Sequence, residues 1–567
     1  MKTFFIFLEF VILFVIYSAY IFVLFNVLKI DNNGFLLGYV KGWGDTAFHL
    51  GLINDLATGS FFDFTHTFAA GEPLAYPFFI DFVSSLFKRI GFSLYWSFHL
   101  PALLFGISLL TIIFILGRNY LKNDYLAIIF LVVVIFGGGL GFIWFFKDLK
   151  EGKPFSHEYT HLDNRTGGKL AGFDAPFNIV WITPAISFFS HQRSFIPGAV
   201  IGFLILLSIL KRKWFGLILN GFLPLIHTHT FFTFSVFVIP TLILIEFLKN
   251  ISFFKIKKII YSSIFSDFRK ILKIYIISLI IALPQVIFIT RGDFENKIEW
   301  WPGWMAYKYE NVIWFLIKNY GFIFLVWLVI LIYYFRNLKL DRLKYLDYKD
   351  FLIFSSILIF LVSHLFKFQP WEFDNNKIIF WWWTLAILLS LFYLKDILAK
   401  SKKIGIFLLI SFVFLASFSG ILDVIGLYKR REINKFGYYS NYDLEMASWI
   451  IKNTSPDDIF LIGDDILYFS MITGRKVYSG YPGWLWSHGR GKVAWDRKNK
   501  VNRFLKDRDE KQLCLDGVKY ILWDNSLINS YSLSENDEED LKNKMILVYQ
   551  QNVVNSLRKL YLLKCTN

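Results

Sequence analysis

The chain has 567 residues, of which 55% are hydrophobic and 20% are aromatic, and its formal net charge is +16. The apolar share exceeds the roughly 45–50% of soluble domains, and several apolar runs of about 18 or more residues follow one another, so a soluble globular protein is excluded. Most basic residues flank these runs, which the positive-inside rule explains, and no nucleic-acid partner is expected.

The apolar runs predict a mainly α-helical, polytopic membrane bundle. The first run, about Phe4–Leu28, is too long for a signal-peptide core and predicts an uncleaved span with the N-terminus inside. The next, Pro77–Ile90, is short and broken by Asp81, so it predicts a partial or interfacial element. Further spans are predicted at about Leu100–Gly117, Leu126–Phe146, Phe195–Leu210, Trp214–Ile226, Phe231–Phe247, Ile274–Ile289, Val312–Tyr334, Phe351–Leu365, Ile378–Leu394 and Ile404–Ile421. The total is about 11 spans, with 12 or 13 as alternatives.

Charge predicts the topology of the loops. The short basic connectors are expected inside the cell, at Arg118–Lys122, Lys211–Lys213, Lys249–Lys273, Arg336–Lys349 and Lys395–Lys403. The spans between them then place the polar, motif-rich loops outside, namely residues 30–96, 147–193, 291–311 and 367–377, with His227–Thr230 between two spans. This asymmetry predicts an outward-facing site in a membrane domain that covers residues 1–428.

Residues 429–567 differ from the rest because hydropathy falls and charge rises. A helix is expected at Met446–Asn453, and strands are expected at Ile459–Ile462, Lys476–Tyr478 and Tyr520–Trp523. The prediction is a small α/β domain, soluble and outside the cell. Cys514 and Cys565 could pair in that compartment, although two thiols do not make a disulfide framework.

The first candidate site is the stretch Gly42–His49, shortly after the first span. Asp45 and His49 are four residues apart, so a helix would place both side chains on one face. Such a carboxylate suits a general base for a hydroxyl nucleophile, and such an imidazole suits a metal or a phosphate. The structural alternative is an interfacial helix with Asp45 as its N-cap.

The second candidate is the turn Phe368–Lys377, which contains Gln369, Glu372, Asp374, Asn375 and Lys377. This density of polar groups is high for a connection between two spans. Lys377 would lie at the N-terminal end of a span, where the helix dipole favours a phosphate. The alternative is an aromatic-belt turn with Asp374 as a helix cap.

The third candidate is Tyr481–Arg490 in the C-terminal domain. Tyr481, Trp484 and Trp486 beside His488 and Arg490 suit stacking on a sugar ring and recognition of its hydroxyls or of a phosphate. The alternative is a loop that packs its tryptophans on the membrane surface.

Weaker candidates lie in the other outer loops. Arg193 and Arg291 could pair with an anionic group, and His229, next to His227, could line a site or be structural. His157, His161, Asp163 and Asp174 are a candidate metal set, but their spacing fits no closed zinc pattern. Gly137–Gly141 lies in an apolar run, where small residues serve helix packing or kinking.

Together these features resemble the glycosyltransferase C superfamily of integral membrane enzymes. The similar features are an acid in a long first outer loop, the Glu-Pro-Leu-Ala-Tyr-Pro stretch at 72–77, many spans and a C-terminal outer α/β domain. The segments Gln369–Lys377 and Gly480–Gly489 also resemble those of prokaryotic membrane glycosyltransferases. The resemblance implies that Asp45 is a catalytic base or a metal-linked acid. The usual acidic pair is not matched, because Gly44 precedes Asp45 and His49 follows it.

The resulting hypothesis is a transferase that moves a sugar from a polyprenyl-phosphate donor to an acceptor hydroxyl at the outer membrane face. The expected partners are this donor, a glycan, lipid or protein acceptor, and membrane lipids. No cofactor is certain, and a divalent metal (Mg²⁺ or Mn²⁺) stays open. Alternatives are a non-catalytic glycan- or lipid-binding membrane protein, or a flippase for lipid-linked glycans. Catalysis is assigned to Asp45 and His49, the donor phosphate to Lys377, Arg193, Arg291 and His229, and the acceptor or sugar to Glu372, Asp374, Asn375, Tyr481, Trp484, Trp486 and His488.

Overall fold

The computed structural model describes residues 2–31, 34–37, 43–162, 178–254, 264–291, 298–306, 310–338, 345–429, 437–465, 470–553 and 556–565. The chain divides into two compact units. Unit 1 comprises Met1–Leu24, Ala102–Val286 and Asn296–Asn434, and unit 2 comprises Phe25–Pro101, Ile287–Glu295 and Lys435–Asn567.

Helices dominate the described residues up to position 429. They are α1 (Lys2–Phe25), α2 (Trp43–Thr58), α3 (Phe79–Arg89), α4 (Leu94–Leu121), α5 (Asp124–Phe136), α6 (Phe142–Lys150), α7 (Pro184–Ile186), α8 (Phe195–Leu210), α9 (Thr228–Thr233), α10 (Ile239–Phe254), α11 (Ile264–Ile289), α12 (Val312–Arg336), α13 (Tyr348–Leu365), α14 (Asn376–Lys400) and α15 (Lys402–Lys429). Ser187–His191 and Phe234–Val238 are π-helical, and Trp214–Phe222, Trp304–Ala306 and Glu372–Asn375 are 3₁₀-helical.

The C-terminal part of the chain alternates shorter helices with strands. Its helices are α16 (Asn441–Asn453), α17 (Ser470–Thr473), α18 (Pro482–Ser487), α19 (Gly491–Asp507), α20 (Lys511–Leu515), α21 (Asn525–Tyr531) and α22 (Glu535–Leu541). The strands of the whole described chain are β1 (Leu28–Asp31), β2 (Gly34–Leu37), β3 (Glu299–Trp300), β4 (Phe366–Lys367), β5 (Gly437–Ser440), β6 (Ile459–Leu461), β7 (Lys476–Val477), β8 (Val518–Trp523), β9 (Met545–Val553) and β10 (Ser556–Leu563).

Eight helices in the described residues are long and apolar enough to cross a membrane, or nine if Pro184–His191 and Phe195–Leu210, which meet at 109°, form one broken span. This confirms the mainly helical, polytopic class, with a lower count than the 11 predicted. The difference lies in short segments. Residues Trp214–Phe222 form a 3₁₀-helix of nine residues, and the predicted span Leu126–Phe146 is divided between α5 and α6.

Unit 1 is built around α14, which packs against α5, α12, α13 and α15. Three consecutive tryptophans of α14, Trp381–Trp383, are almost completely buried. The break between α5 and α6 falls in the Gly137–Gly141 stretch and fits the expected packing role. A Cβ on Gly139 would lie 2.0 Å from the carbonyl oxygen of Lys318, so only glycine allows this approach to α12. Helix α12 is itself broken there, at Gly321 with φ 53° and ψ −132°.

Unit 2 contains two sheets. The first has the order β1-β2-β5, and the second has the order β7-β6-β8-β10-β9. Strands β7, β6 and β8 are parallel, whereas β10 pairs antiparallel with both β8 and β9. The helix at Met446–Asn453 and the three predicted strands are confirmed, and the β9–β10 hairpin was not predicted. Cys514 and Cys565 form a disulfide.

The proposed division at residues 428 and 429 remains a prediction. The described part of unit 2 shows that the segment between α1 and α4 packs with the C-terminal segment. Strand β2 pairs with β5 in register from Gly34 opposite Ser440 to Leu37 opposite Gly437. Asn54 of α2 also donates a side-chain hydrogen bond to the carbonyl oxygen of Met471. These contacts hold β2 and α2 against the C-terminal segment, and α3 packs on α2. Two of the three predicted motifs, those that contain Asp45 and Tyr481–Arg490, lie in this unit.

Candidate functional site

The first turn of α2 carries Asp45, whose side chain is exposed. The helix starts at Trp43, so Asp45 lies inside the first turn rather than at the N-cap, and Gly42 lies outside the described residues. An acid in this position interacts favourably with the positive end of the helix dipole. A Cβ on Gly44 would lie 3.4 Å from Nε1 of Trp484, so this turn packs closely against α18. The structure therefore brings Asp45 and the Tyr481–Arg490 segment into one neighbourhood within unit 2.

His49 lies one turn further along α2 and is buried. Its Nδ1 lies 2.7 Å from Oδ2 of Asp81 on α3, and both side chains are at most 2% exposed. Because a carboxylate only accepts hydrogen bonds, Nδ1 carries the proton in this contact. Asp81 thereby fixes the orientation of the imidazole, as the third member does in nucleophile–base–acid arrangements. The acid that binds His49 is thus Asp81, which sequence reasoning had read only as an interruption of an apolar run.

An aromatic cluster surrounds this part of α2. The ring of Phe48 lies 4.9 Å from the ring of Tyr76, 5.6 Å from that of Trp484 and 4.9 Å from that of His488, centroid to centroid. Tyr76 also lies 4.8 Å from His488. The imidazole of His488 is therefore in contact with an aromatic ring from α2 and with one from the stretch that follows Glu72-Pro73.

His66 and His488 form a hydrogen-bonded pair. The backbone N–H of Phe68 donates to Nδ1 of His66 at 3.1 Å, so the proton of neutral His66 is on Nε2. That N–H then donates to Nδ1 of His488 at 3.3 Å. Burial lowers the pKa of His66 well below its ordinary value, and His488, Arg490 and Arg497 lower it further. The imidazole of His66 is consequently neutral in this pair.

Two arginines from the C-terminal segment hold the loop at residues 70–73. Arg490 donates to the carbonyl oxygens of Pro73 and Arg291, both at 3.0 Å, and Arg497 donates to that of Ala70 at 2.8 Å. Glu72 lies between them, with its oxygens 3.7 Å from Nε of Arg490 and 3.6 Å from Nη2 of Arg497. Among the predicted cations, Arg291 thus contributes a backbone carbonyl to this cluster, while its exposed guanidinium lies over the ring of Phe288 at 5.7 Å.

A second buried carboxylate, Asp55, lies near the C-terminal end of α2. The hydroxyl of Thr67 donates to its Oδ2 at 2.7 Å. Burial raises the pKa of Asp55 to about 6, although nearby Lys476 and the Thr67 hydrogen bond act in the opposite direction. Lys476 itself forms an ion pair with Asp63. Asp55 and Thr67 therefore join α2 to the loop that carries His66.

The predicted sugar-binding aromatics differ in their exposure. Trp484 is 8% exposed and packs 4.9 Å from the ring of Phe68 and 5.6 Å from that of Tyr481. Trp486 is 46% exposed, and Tyr481 and His488 are half-buried. The structure thus favours a packing role for Trp484, and Trp486 is the tryptophan of this segment whose ring can meet a ligand.

The remaining predicted site residues lie in unit 1. Lys377, in the first turn of α14, pairs with Asp374 at 3.0 Å, and Nε2 of His229 contacts Oε1 of Gln369. Asp374 does not cap the helix through a side-chain hydrogen bond, since the N-cap position belongs to Asn375. The turn thus holds its own cation, Lys377, through Asp374, and it also binds the imidazole of His229 from α9 through Gln369.

Three other predicted residues of unit 1 are mainly built into its framework. The amide of Asn375 donates to the carbonyl oxygens of Ser363 at 2.8 Å and Phe366 at 2.6 Å, and Asn375 is buried. Glu372 accepts a hydrogen bond from Nε1 of Trp304 at 2.7 Å through its backbone carbonyl. Arg193 is completely buried just before α8. The side-chain amide of Asn375 therefore has a structural role, because its hydrogen bonds go to backbone carbonyls.

Metal-ligating groups are not brought together in the part of the chain that is described. No group of three or more His, Cys, Asp or Glu side chains there is placed to hold a metal ion. His157 instead pairs with Asp148 at 2.9 Å, and Asp163 and Asp174 lie outside the described residues.

Sequence reasoning missed several residues of the unit 2 cluster. Asp81, Tyr76, His66 and Arg497 were not singled out as site residues. A charged residue inside an apolar run was the available signal for Asp81, because such a residue needs a partner. No local signal linked His66 to His488, which are 422 positions apart.

No protein-family model and no curated protein sequence matches the chain. The solved structures that are similar to it include the following three. The archaeal oligosaccharyltransferase AglB from Archaeoglobus fulgidus, in complex with an inhibitory peptide and a dolichol-phosphate, is 11% identical with a TM-score of 0.43, over 97% of this chain and 74% of that one. The apo form of the Archaeoglobus fulgidus oligosaccharyltransferase is 12% identical with a TM-score of 0.43, over 91% and 69%.

The third similar structure is ArnT from Cupriavidus metallidurans bound to undecaprenyl phosphate. It is 10% identical with a TM-score of 0.48, and 97% of each chain is covered. Similarities at these identities and TM-scores assign no substrate and no residue role to the present chain.

Proposed function

We propose that the chain is a membrane glycosyltransferase that moves a sugar from a polyprenyl-phosphate donor to an acceptor hydroxyl at the outer membrane face. The observation that carries the proposal is the cluster in unit 2. An exposed carboxylate, Asp45, lies in the first turn of α2, where Gly44 packs against Trp484. On the same helix, Phe48 contacts His488, and His49 is fixed by buried Asp81. An accessible acid beside aromatic and imidazole groups, in a chain whose described residues include eight candidate spans, suits a sugar-transfer site.

The proposed chemistry is a single displacement. The oxygen of the acceptor hydroxyl attacks the anomeric carbon, and the bond from that carbon to the lipid phosphate oxygen breaks. Asp45 takes the proton of the hydroxyl as general base. The electron pair of the broken bond leaves with the lipid phosphate, which is a good leaving group, so the site has to supply position and positive charge. No step of this displacement is written through a metal.

The donor phosphate is assigned to cations and to an imidazole. In unit 1 these are Lys377 at the N-terminal end of α14, Arg193 before α8, and His229; in unit 2 it is Arg291. Lys377 has the best local support, since a helix N-terminus and a lysine both favour an anion. Its present partner, Asp374, would exchange that contact for solvent or for a hydroxyl of the sugar.

The acceptor and the sugar are assigned to the polar and aromatic groups of the two motifs. Trp486 has the exposed ring that stacking on a sugar requires. The exposed or half-buried members of the set are Glu372, Asp374, Tyr481 and His488. Asn375 and Trp484 act through packing rather than contact, because both are buried.

The C-terminal segment is proposed to lie outside the cell, with the N-terminus inside. The disulfide between Cys514 and Cys565 supports this, because disulfides persist in oxidising compartments. The charge pattern of the loops agrees with the same orientation.

The test is the variant Asp45→Asn, expressed at the wild-type level and reconstituted in liposomes with a radiolabelled polyprenyl-phosphate sugar and a lipid extract as the acceptor source. We expect sugar transfer to fall by about 10²–10⁴-fold, the usual contribution of a general base. Asp55→Asn is the matched control, since Asp55 lies on the same helix and has no role in the reaction, and it should keep wild-type transfer. Full activity of Asp45→Asn would remove Asp45 as the base. Donor binding without transfer by the wild type would favour the non-catalytic alternative.

A further inference from the structure

His66 can donate a hydrogen bond to His488 but cannot accept one from it. The backbone N–H of Phe68 donates to Nδ1 of His66 at 3.1 Å, which occupies the lone pair of that nitrogen. Nε2 of His66 therefore carries the ring proton, and it lies 3.3 Å from Nδ1 of His488. Because His66 is completely buried, its ring is fixed between these two partners.

The direction of this hydrogen bond decides where His488 carries its own proton. Nδ1 of His488 accepts from His66, and a neutral imidazole has one nitrogen that accepts and one that donates. Nε2 of His488 is therefore a donor. A proton on Nδ1 would meet the N–H of His66, and the bond between the two rings would break. The contact with His66 thus opposes both the charged form of His488 and the neutral form that has its proton on Nδ1.

The ring of His488 is also held by its aromatic neighbours. Its centroid lies 4.9 Å from that of Phe48 on α2, at an interplanar angle of 70°, and 4.8 Å from that of Tyr76. The backbone N–H of His488 donates to the carbonyl oxygen of Trp484 at 2.9 Å, so the main chain is fixed at the end of α18 as well. With Nδ1 bound to His66 and the ring in contact on two sides, the direction of the Nε2–H bond is set by the fold.

The charges around the pair keep His66 in its role as a donor. Burial lowers the pKa of His66 well below its ordinary value, and His488, Arg490 and Arg497 lower it further. Glu72 is shared between the two arginines, with its oxygens 3.7 Å and 3.6 Å from them. The titratable side chains of the surrounding elements are Asp45 and His49 on α2, Glu72 and Tyr76 in the loop, and Tyr481, Arg490 and Arg497 in the C-terminal segment. His66 consequently stays neutral at a pH at which an exposed histidine takes a second proton.

A fixed donor beside an exposed aromatic ring suits the recognition of a sugar. Trp486, two residues before His488, is 46% exposed and can stack on a sugar ring. The hydroxyl oxygens of a sugar have lone pairs that accept hydrogen bonds. The first turn of α2, which carries Asp45, packs against Trp484 of the same segment. This neighbourhood of unit 2 therefore offers a carboxylate that accepts and an imidazole that donates.

We propose that His66 is a positioning residue that keeps the ring proton of His488 on Nε2, so that His488 donates a hydrogen bond to a hydroxyl oxygen of the transferred sugar or of the acceptor. His488 then has no lone pair with which to act as a base, and that role remains with Asp45. The part that concerns the substrate rests on the proposed transferase function. The position of the proton on His488 does not.

The first measurement follows the ring nitrogens of His488 without substrate. The full-length chain, with its ten histidines labelled with ¹⁵N, is studied by solid-state NMR in phosphatidylcholine liposomes, and the signals that His488→Gln removes are those of His488. In the wild type at neutral pH we expect an unprotonated Nδ1 and a protonated Nε2. This state should persist to a pH about one unit lower than in His66→Asn, since one hydrogen bond opposes the second proton. Asparagine can still accept from Phe68 but is too short to donate to His488.

Thr67→Val is the matched control for the NMR measurement. It changes the residue next to His66 and removes the hydrogen bond to Asp55, so His488 should titrate in it as in the wild type. A proton on Nδ1 of His488 in the wild type would overturn the proposal. Equal titration of His488 in the wild type and in His66→Asn would also overturn it, because His66 would then not control the ring. Neither result depends on sugar transfer, so an inactive wild type would leave this measurement valid.

The second measurement is transfer of the radiolabelled sugar, which separates binding from base catalysis. His66→Asn should raise the apparent KM by about 3–10-fold, because the hydrogen bond is lost in the ground state and in the transition state alike. A rise in the KM for the labelled donor places the hydrogen bond on the transferred sugar, and a rise for the lipid extract places it on the acceptor. His66→Gln can place an amide N–H near the position of Nε2, and it should restore most of the loss.

Three results of the transfer assay would contradict the proposal. Equal losses in His66→Asn and His66→Gln would show that His66 is merely structural. An unchanged KM for both substrates in His66→Asn would show that His488 does not bind a hydroxyl. His488→Gln keeps a donor near Nε2 and should lower kcat by less than about tenfold, whereas a fall of about 10²-fold or more would show that His488 is a base.

Discussion

The substitution Asp55→Asn should stabilise unit 2 at neutral pH and have no effect at low pH. Burial raises the pKa of the Asp55 carboxyl from 3.8 to about 6. The folded chain therefore binds the proton of Asp55 more tightly than the unfolded chain does. The stabilisation from the protonated form is complete below pH 3.8, and it is lost as the pH rises towards 6. Asparagine stays neutral at every pH and can still accept the hydrogen bond from Thr67.

The size of the effect follows from the shift. A difference of about two pKa units at about 1.4 kcal/mol per unit gives an upper limit of about 3 kcal/mol above pH 6. For a domain of 150–250 residues, each kcal/mol shifts the melting temperature by about 2–4 °C. We therefore expect Asp55→Asn to melt up to about 10 °C higher than the wild type at pH 7.5, and to melt at the same temperature near pH 4.

The assay is thermal unfolding of both proteins in nanodiscs at several pH values, followed by tryptophan fluorescence. Asp63→Asn is the control of opposite sign. Burial raises the pKa of Asp63, but the hydrogen bonds from Lys476 and Thr65 and the charge of Lys476 together outweigh burial and hold this pKa below its ordinary value. That variant should lose stability at neutral pH. A melting difference for Asp55→Asn that is the same at pH 4 and pH 7.5 would refute the reasoning, as would a less stable variant at pH 7.5.

Three other substitutions probe the framework, each measured by thermal unfolding in the same nanodiscs. Asp81→Ala should cost about 1–3 kcal/mol, because a buried imidazole loses its partner; an unchanged melting temperature would show that the pair carries no stability. Gly139→Ala should cost about 1–3 kcal/mol or more, because the new Cβ would lie 2.0 Å from the carbonyl oxygen of Lys318; wild-type stability would contradict this close approach. Cys514→Ser should cost about 4 kcal/mol for a loop that spans 51 positions; reductant should then affect the wild type and leave the variant unchanged, and sensitivity of the variant to reductant would contradict a role for the Cys514–Cys565 bond.

Patterns that repeat along the chain allowed much of the fold to be predicted. The long apolar runs at Val312–Tyr334, Phe351–Leu365, Ile378–Leu394 and Ile404–Ile421 all lie within the helices α12, α13, α14 and α15. Hydropathy could not show that the predicted span at Trp214–Ile226 would instead form a 3₁₀-helix of nine residues, Trp214–Phe222. An apolar composition is compatible with a spanning α-helix and with a short 3₁₀-helix, and packing against neighbouring helices decides which of the two forms.

The strands were predictable where they are buried and short. Strands β6 and β8 are mainly apolar, β7 is the pair Lys476–Val477, and each prediction is confirmed to within two residues. The hairpin β9–β10 escaped notice because its strands mix polar and apolar residues, as in Gln550–Val553 and Arg558–Lys559. Antiparallel strands can tolerate that mixture, since one face of such a sheet can meet solvent.

The candidate site illustrates a limit of spacing arguments. Helical spacing placed Asp45 and His49 on one face of α2, and the helix is confirmed. Spacing could not decide which acid would bind the histidine, because the competing carboxylate, Asp81, comes from another helix 32 positions away. Where two acids could pair with the same imidazole, burial decides between them. A buried imidazole pairs with a buried carboxylate, because an unpaired polar group costs more free energy in a low dielectric.

The position of Asp81 also explains why α3 could not be oriented from the sequence. The period of apolar residues shows that a helix has one apolar face, but it does not show whether that face turns towards the protein or away from it. In a soluble protein the answer is always inward. Beside a membrane both answers are available, and the charged residue decides, because Asp81 must face a partner rather than lipid. Since that partner is His49, α2 and α3 are oriented together, and the apolar side of α3 must turn away from α2.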